Sequence, residues 1–568
     1  MSSQDLIAFL EWAEENNINW DKNAIEIREG KHGLGIYARK DLEQGHEVIQ
    51  VPKSIVLSIK NSGIANLLEE DEIEGDAGLA LACMFELSKG SESVWSVYLA
   101  LLNNRRPLMA TDLPEETRET MKKCEVYEDI ETDIKDMRED FDTIVVPFLD
   151  KHSEVFTEAI KSKFFSFEDF KAMASHISSR ALDIDNYHAS ALVPFADFVN
   201  HNAEPNSDYL THEDVCEVCG ALTCEHLDEL DNDEDEDEEA PELTAEETTE
   251  SKEKRNAATE EDDADWEDED INDTCDIILD EDVKKGEEIT RHYGPFPNKL
   301  LLSKYGFAEI DNPHDTVTVQ LDMVKKAAES ILNDSALMEE RVKWFLDTED
   351  VFIGEDDEDC DEDCMEGCCD GELDHDHDHD HEHKHEKKFA ATAAKEDAEE
   401  EDEDEEDEED DFPRDIMYMT YDGSIDDRML MLLNVIFMEK EQFAKVQESM
   451  EVATEYFNDI FLRRALEEDL AVDEEDEDED AEEKPEVKPL DETGRKVRRS
   501  VLEALLQVIR LRADAFDVSD TTTAEDDLEA LKKANFSGLT FYGAVCVQGE
   551  KQILQNGLKL YSKFHAAL

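Results

Sequence analysis

Leu192-Val193-Pro194-Phe195-Ala196-Asp197-Phe198-Val199-Asn200-His201-Asn202 is the stretch whose reading decides this fold. An apolar pair runs into Pro194. A short amphipathic segment follows, with Phe195, Phe198 and Val199 on one side and Asp197 on the other. It ends in adjacent Asn200 and His201. Amide, imidazole and carboxylate this close to a buried-looking run require partners. Two readings stand open at this point: a buried polar cluster that caps a helix, or a small-molecule site. The flanking sequence has to decide between them.

Upstream, Asp5–Asn16 carries Leu6, Phe9, Leu10 and Ala13 at helical spacing, with Ser3 as a cap. Ala24–Arg28 alternates as a strand. Then comes Lys31-His32-Gly33-Leu34-Gly35-Ile36, in which two glycines around one leucine form a hairpin turn or let a backbone approach a ligand. Glu43-Gln44-Gly45 reads as a second hairpin turn into Glu47–Val51. From about residue 76 the period becomes helical, over 78–87, 94–102, 115–147 and 167–182, the last ending near Arg180. A lone arginine at a helix end also suits the helix dipole. Downstream, Ser207–His212 reads as a strand carrying Tyr209. Cys275–Leu279 and Glu288–Tyr293, joined through Lys284-Lys285-Gly286, read as a hairpin. Asn298–Gly306 is a short helix, with Gly306 in the left-handed capping position and Phe307 after it. Beyond about residue 316 the pattern is a succession of amphipathic helices, which predicts a separate helical domain. No internal repeat is evident.

The formal net charge of −99 over 568 residues is concentrated in three tracts, about 228–270, 355–411 and 473–486. They are too polar to bury enough surface to offset chain entropy, so they are expected to be disordered insertions. About 400 residues of ordinary patterning remain, enough for two substantial cores. No segment approaches the roughly 18 apolar residues of a membrane span. Met1–Asp5 lacks the features of a signal or transit peptide. Eleven scattered or clustered cysteines are not a disulfide framework, and predict a reducing compartment, cytoplasmic or nuclear. The acidity argues against direct nucleic-acid binding and for basic protein partners.

The motifs His32-Gly33-Leu34-Gly35, Ser179-Arg180, Asp197-Phe198-Val199-Asn200-His201, Gly286-Glu287-Glu288-Ile289 leading to Tyr293-Gly294, and Tyr305-Gly306-Phe307, in this order, resemble the SET-domain protein methyltransferases. The resemblance is closest to the group typified by the Rubisco large-subunit lysine methyltransferase. It covers nearly everything outside the acidic tracts, and Gly549-Glu550-Lys551-Gln552-Ile553-Leu554 resembles the group's last helix. It implies an α+β fold: a β-rich SET core with a helical insertion, then an all-α substrate-binding domain. The expected boundaries are an N-terminal helix at 1–20 and a SET domain over 21–310, with its helical insertion at about 60–180 and an acidic insertion at about 213–272. The helical domain covers 311–568, with an acidic, His-rich insertion at about 354–411 and an acidic linker at about 470–490.

The resemblance also implies roles. His32, Gly33, Leu34 and Gly35 would lie against S-adenosylmethionine, and Arg180 would meet its carboxylate. Asn200 and His201 would hold its amino and adenine groups with Asp197 supporting them, and Phe307 would pack on adenine. Tyr293 would stand beside the transferred methyl, with Tyr305 and Tyr209 lining the channel for the target side chain. The implied activity is protein-lysine N-methylation by a monomer acting on a basic protein such as a ribosomal protein or histone. A related branch methylates histidine, but Leu182 and Ala196 stand where that branch has Asn and Trp. A different class, an acidic chaperone for basic proteins on a retired SET core, accounts for the tracts but not for Asn200, His201, Tyr293 and Tyr305.

Two clusters fall outside the resemblance. Cys216, Cys219, Cys224 and His226 offer four soft or borderline ligands, the first pair at zinc-site spacing, and are either a structural zinc site or free cysteines in an insertion. Cys360, Cys364, Cys368 and Cys369, followed by alternating Asp-His from Asp374, are either a metal buffer or a low-complexity linker.

Overall fold

The computed structural model describes residues 3–30, 33–122, 124–224, 226, 273–352, 415–469, 489–514, 523–533 and 538–568. His32, the greater part of the three acidic tracts and the Cys360–Cys369 and Asp374–His385 clusters lie outside the described residues. The fold is α+β and divides into two compact units: Met1–Thr316 with Phe516–Gln552, and Val317–Ala515 with Ile553–Leu568.

In the first unit, helix α1 (Ser3–Glu15) is followed by strands β1 (Asn19–Trp20), β2 (Ile25–Gly30), β3 (Gly33–Ala38) and β4 (Glu47–Pro52). Residues 1–20 are thus not helical throughout, because Asn19–Trp20 pairs with β4. A run of helices comes next: α2 (Ala65–Glu70), α3 (Gly75–Lys89), α4 (Ser96–Asn103), α5 (Glu115–Arg118), α6 (Glu125–Asp140), α7 (Val146–Lys151), α8 (Glu158–Phe164) and α9 (Phe167–Arg180). The stretch 115–147 is not one helix but is broken around Cys124 and again by a π-turn at Phe141–Val145. Strands β5 (Ala181–Asp183), β6 (Ser190–Leu192), β7 (Asn200–His201), β8 (Asp208–Thr211), β9 (Thr274–Ile278) and β10 (Glu288–Arg291) complete the core. They form sheets in the orders β1-β4-β9-β8 and β2-β3-β10-β7, and a β5-β6 hairpin.

The two expected hairpins, at Gly45 and at Gly286, are therefore absent. Each turn carries the chain from one sheet to the other instead. The two corners clasp each other in a reciprocal pattern. The Asp41 carboxylate accepts from Lys285 N–H (2.9 Å) and the Asp282 carboxylate from Gln44 N–H (3.1 Å). Leu42 and Val283 exchange both backbone bonds, at 2.9 and 3.0 Å. Gly45 N–H bonds the Leu279 carbonyl and Gly286 N–H the Ala38 carbonyl, both at 2.7 Å. The sequences Asp41-Leu42-Glu43-Gln44-Gly45 and Asp282-Val283-Lys284-Lys285-Gly286 are the short repeat behind this pairing. It is a repeat too brief to register as periodicity.

An aromatic core backs the organising stretch. Phe9 and Trp12 of α1 meet Tyr98 of α4, with the Trp12 and Tyr98 rings stacked at 6.2 Å, and Phe9 also meets Phe195 and Phe198. Phe195 is fully buried at φ +82°, a strained conformation for a bulky residue. Trp20, at 4.9 Å, and Phe9 hold it there. That kink starts the tight turn Ala196–Phe198, which delivers Asn200 and His201 to β7.

At the other end of this unit, Glu550 accepts from the Glu125 N–H at 2.7 Å and from the Cys124 thiol. A carboxylate far along the chain thereby satisfies one of the amides at the start of α6.

The second unit is mainly helical, with helices at Leu321–Leu332, Ser335–Leu346, Asp427–Phe437, Lys440–Glu448, Met450–Asp469 and Glu492–Ala513. It also holds a two-stranded sheet, β11 (Thr316–Gln320) with β12 (Ile416–Thr420). Both strands alternate, burying Val317 and Val319, and Met417 and Met419. A helical reading misses them because residues 353–414 separate them and each is only one short alternation.

Candidate active site

The site grows from β3, β7 and β10 lying side by side. Asn200 and His201 pair in parallel with Thr290 and Arg291 of β10, whose other edge pairs with β3. Asn200 Nδ2 donates to the Leu34 carbonyl (3.2 Å) and to Glu288 Oε1 (2.7 Å). Glu288 Oε2 accepts from the Tyr37 hydroxyl at 2.6 Å, and the Arg28 guanidinium covers the Tyr37 ring at 3.5 Å. Burial and then the Glu288 hydrogen bond push the Tyr37 hydroxyl up to about 12, so it stays a donor. Gly35 is a glycine for a reason inside the protein. A Cβ there would stand 2.2 Å from Glu288 Oε1 and 2.9 Å from Asn200 Nδ2. Both Asn200 amide hydrogens are thus committed to the frame.

The side chain of His201 is almost wholly buried. Its Nδ1 accepts the Tyr293 N–H at 3.1 Å, which leaves the proton on Nε2, 3.5 Å from Glu309. Around it stand His292 at 5.0 Å, Tyr293 at 5.2 Å and Phe307 at 5.4 Å. Tyr293 and Tyr305 face each other at 4.8 Å, and Tyr305 meets Phe307 at 6.2 Å. The Tyr293 hydroxyl donates to the Val199 carbonyl (3.1 Å) and the Tyr305 hydroxyl to the Tyr293 carbonyl (3.5 Å). Burial raises both phenols, Tyr305 to about 12, so neither ionises near neutrality. Phe307 reaches this group because Gly306 ends its helix at φ +77°, where a Cβ would meet the Leu108 carbonyl at 2.1 Å.

Arg180 enters from the end of α9. That helix starts with a capping box, Ser166 and Asp169 exchanging hydrogen bonds, and stops where Ala181 turns extended. Arg180 donates to Ser179 Oγ (2.8 Å) and the Arg105 carbonyl (3.4 Å) and lies 3.6 Å from Asp197. Arg105, stacked on Phe198 at 4.5 Å, shares the same Asp197 oxygen at 3.4 Å. Asp197 accordingly pairs with two arginines and is not the expected support for Asn200 and His201. Its other oxygen, Oδ1, and Arg180 Nε are buried without a hydrogen-bond partner. Burial and then the charges of Arg180, Arg105 and Arg106 hold the neighbouring His176 down to about 3. The charges of Arg180 and Asp197 are felt at the Tyr293 hydroxyl, which ties this pair to the aromatic group.

The Tyr209 hydroxyl lies 3.4 Å from the Asp183 carbonyl and beside Cys275, with Arg291 the neighbour it shares with Tyr293. Cys216, Cys219, Cys224 and His226 come together elsewhere, after β8. Sequence reasoning quoted Glu288 without a role and passed over Tyr37, Arg105 and His176. The signal for Glu288 was its place two residues after Gly286 on the strand that leads to Tyr293. Arg105 and His176 carried none, since long-range pairing brings them in.

Fold and site together point to a class: the chain is similar to the SET-domain protein-lysine methyltransferases, and its fold is that of the group typified by the Rubisco large-subunit enzyme. It is 29% identical over 382 residues to "Ribosomal lysine N-methyltransferase 3" of Saccharomyces cerevisiae, covering 60% of this chain and 68% of that one. It is 25% identical over 344 residues to "N-lysine methyltransferase SETD6" of Rattus norvegicus, covering 57% of this chain and 59% of that protein. The chain therefore spans about three fifths of the length of that curated relative. In structure it is similar to the SET domain of LSMT bound to lysine and AdoHcy, with a TM-score of 0.55 and 16% identity over 99% of this chain and 92% of that one. Rubisco LSMT bound to AdoMet gives 0.54 and 15% over 100% and 93%. At that identity the likeness shows the fold alone. No family model matches.

The residues present fit S-adenosylmethionine. Asp197 Oδ1 is a buried carboxylate oxygen without a hydrogen-bond partner, and the backbone at Gly33 faces open space. Among the described residues no helix is long and apolar enough to cross a membrane.

Proposed function

We propose that this chain transfers the methyl group of S-adenosylmethionine to the side-chain amine of a lysine in a protein substrate. The observation that carries the reading is the Tyr293–Tyr305 pair, neutral, 4.8 Å apart, and walled by His201 and Phe307. When bound, the cofactor supplies a methyl on a sulfonium, and the N–C bond forms as the C–S bond breaks. The chain's own residues hold and align. Gly33, Leu34 and Gly35 offer backbone, Arg180 meets a carboxylate, Asn200 and His201 fix the strand edge, and Phe307 offers a flat apolar face. The Tyr293 and Tyr305 rings present negative faces to a cation without adding a competing nucleophile. A lysine amine is neutral about one time in 2,500 at pH 7, and an apolar channel raises that fraction. Alignment and desolvation then suffice, with no dedicated base. Leu182 and Ala196 favour lysine over histidine as the target.

The experiment is Tyr293→Phe, read by calorimetry for cofactor binding and by tritium transfer to protein. The expected result is binding within a few-fold of wild type and transfer slowed on the order of a hundredfold, the cost of mild misplacement. Near-normal transfer removes Tyr293 from the mechanism. The substrate is proposed to be basic, gathered by the acidic tracts of a chain of net charge −99. Zinc, the other ion suggested by the sequence, concerns Cys216–His226 and has no part in this transfer.

A further inference from the structure

After β8 the chain runs Val215-Cys216-Glu217-Val218-Cys219-Gly220, then Cys224 and His226. Cys216, Cys219 and Cys224 are free thiols, and their sulfurs and a ring nitrogen of His226 all lie within 4.8 Å of one another. Cys216 Sγ is 3.6 Å and Cys224 Sγ 3.7 Å from His226 Nδ1. A zinc tetrahedron with the usual bond lengths has S···N edges of about 3.6 Å. The backbone is folded for the purpose. Cys219 and Gly220 N–H both donate to the Cys216 carbonyl, at 3.3 and 2.7 Å, and Cys216 N–H donates to Ala221 at 3.0 Å. Apolar packing does not explain the convergence, since Cys219 and His226 are exposed and Cys224 is half-buried.

We propose that Cys216, Cys219, Cys224 and His226 bind one zinc ion, which clamps the neck of the 227–272 segment. Three thiolates and an imidazole select against calcium and magnesium. Four protein ligands make a closed, structural site. The knuckle is seated on the loop between β5 and β6. A Cβ on Gly220 would lie 2.5 Å from the Tyr187 ring, and Asn186 N–H donates to the Glu213 carbonyl at 3.3 Å. Thr211 Oγ1 donates to the Ile184 carbonyl at 3.1 Å. Buried Lys53 closes the neck from the other side. Its ammonium pairs with Asp185 at 2.8 Å and donates to the His212 carbonyl, and its amide donates to Asp273 at 3.1 Å, where the chain returns. The clamped loop joins β5, just after Arg180, to β6, which leads into Leu192–Asn202.

The test uses the full chain purified with reductant. Metal analysis compares wild type with Cys219→Ser, chosen because Cys219 is exposed, and with His226→Cys, which keeps four ligands. The comparison is needed because the Cys360–His385 stretch can take up metal on its own. The expected result is one zinc per chain lost in Cys219→Ser and kept in His226→Cys, and cobalt substitution giving the intense visible bands of a tetrahedral thiolate site. Chelation is expected to speed hydrogen exchange several-fold at 184–189 and 208–211 while 25–38 stays unchanged. Zinc unaffected by Cys219→Ser, or a disulfide among these thiols in place of metal, overturns the site. Zinc loss without faster exchange at 184–189 overturns the clamp.

Discussion

At the scale of single residues, the strand edge of the site is a set of obligations already met by the protein. Asn200 spends both amide hydrogens on Leu34 and Glu288, and Gly35 leaves them room. Gly35→Ala forces the Glu288 carboxylate off Asn200 and off Tyr37. Overpacking of this kind costs about 1–3 kcal/mol. The expected outcome is a lower urea midpoint with unchanged slope, and cofactor affinity weakened more than Tyr293→Phe weakens it. Midpoint and affinity both matching wild type would mean that the Glu288 contact is dispensable. His201 has a fixed tautomer because the Tyr293 N–H donates to its Nδ1, a bond that ties the two segments together.

At the scale of elements, the loop between β5 and β6 depends on one buried ion pair. Lys53 and Asp185 side chains are 1% and 0% exposed. Burial alone would raise the Asp185 carboxyl, but hydrogen bonds from His188 and Lys53 outweigh it and hold the group down from 3.8 to about 2. Because the folded value lies below the unfolded one, the stabilisation is full above about pH 4 and drains away as pH falls toward about 2. It amounts to about 2 kcal/mol. Chemical denaturation of wild type and Asp185→Asn should therefore show a stability gap that is constant near neutrality and narrows between pH 4 and 2. A gap independent of pH would show that Asp185 does not titrate as its hydrogen bonds require. Lys53→Met should cost about 3–5 kcal/mol, since it leaves a buried carboxylate without its ammonium partner. None of this was legible in sequence, where Lys53 follows a proline and Asp185 sits in a polar loop. What was legible were short motifs whose side chains act close to their own backbone: the glycines of β3, Arg180 at a helix end, Tyr293 at a strand end, Gly306 at a cap. Pairings over long separations were not. The two supposed hairpins are corners between sheets, and β11 and β12 find each other across residues 353–414. Local alternation says that a strand exists but not which strand it meets.

At the scale of the whole chain, charge is the dominant fact. The three acidic tracts carry more than half of the net charge of −99 and would draw basic proteins by long-range attraction, which salt screens within about 8 Å at physiological ionic strength. The Michaelis constant for a basic protein substrate is expected to rise with salt, and that dependence to flatten when 228–270 and 355–411 are deleted, with kcat unchanged. Steady-state kinetics at two ionic strengths checks this, and an unaltered salt dependence after deletion would sink the idea.

The neck built by Lys53 and the residues after β8 bears on how such a tract is tolerated at all. β8 and β9 pair Thr211 with Cys275, so residues 212–274 form one closed loop. Loop-closure entropy grows only with the logarithm of length, and against a turn of about five residues this loop costs about 2 kcal/mol more. Doubling it again would add about 0.6 kcal/mol. With both ends secured at the neck, the tract between them can lengthen, shorten or change composition while the fold hardly registers it. Its acidity is therefore free to follow the needs of whatever it attracts.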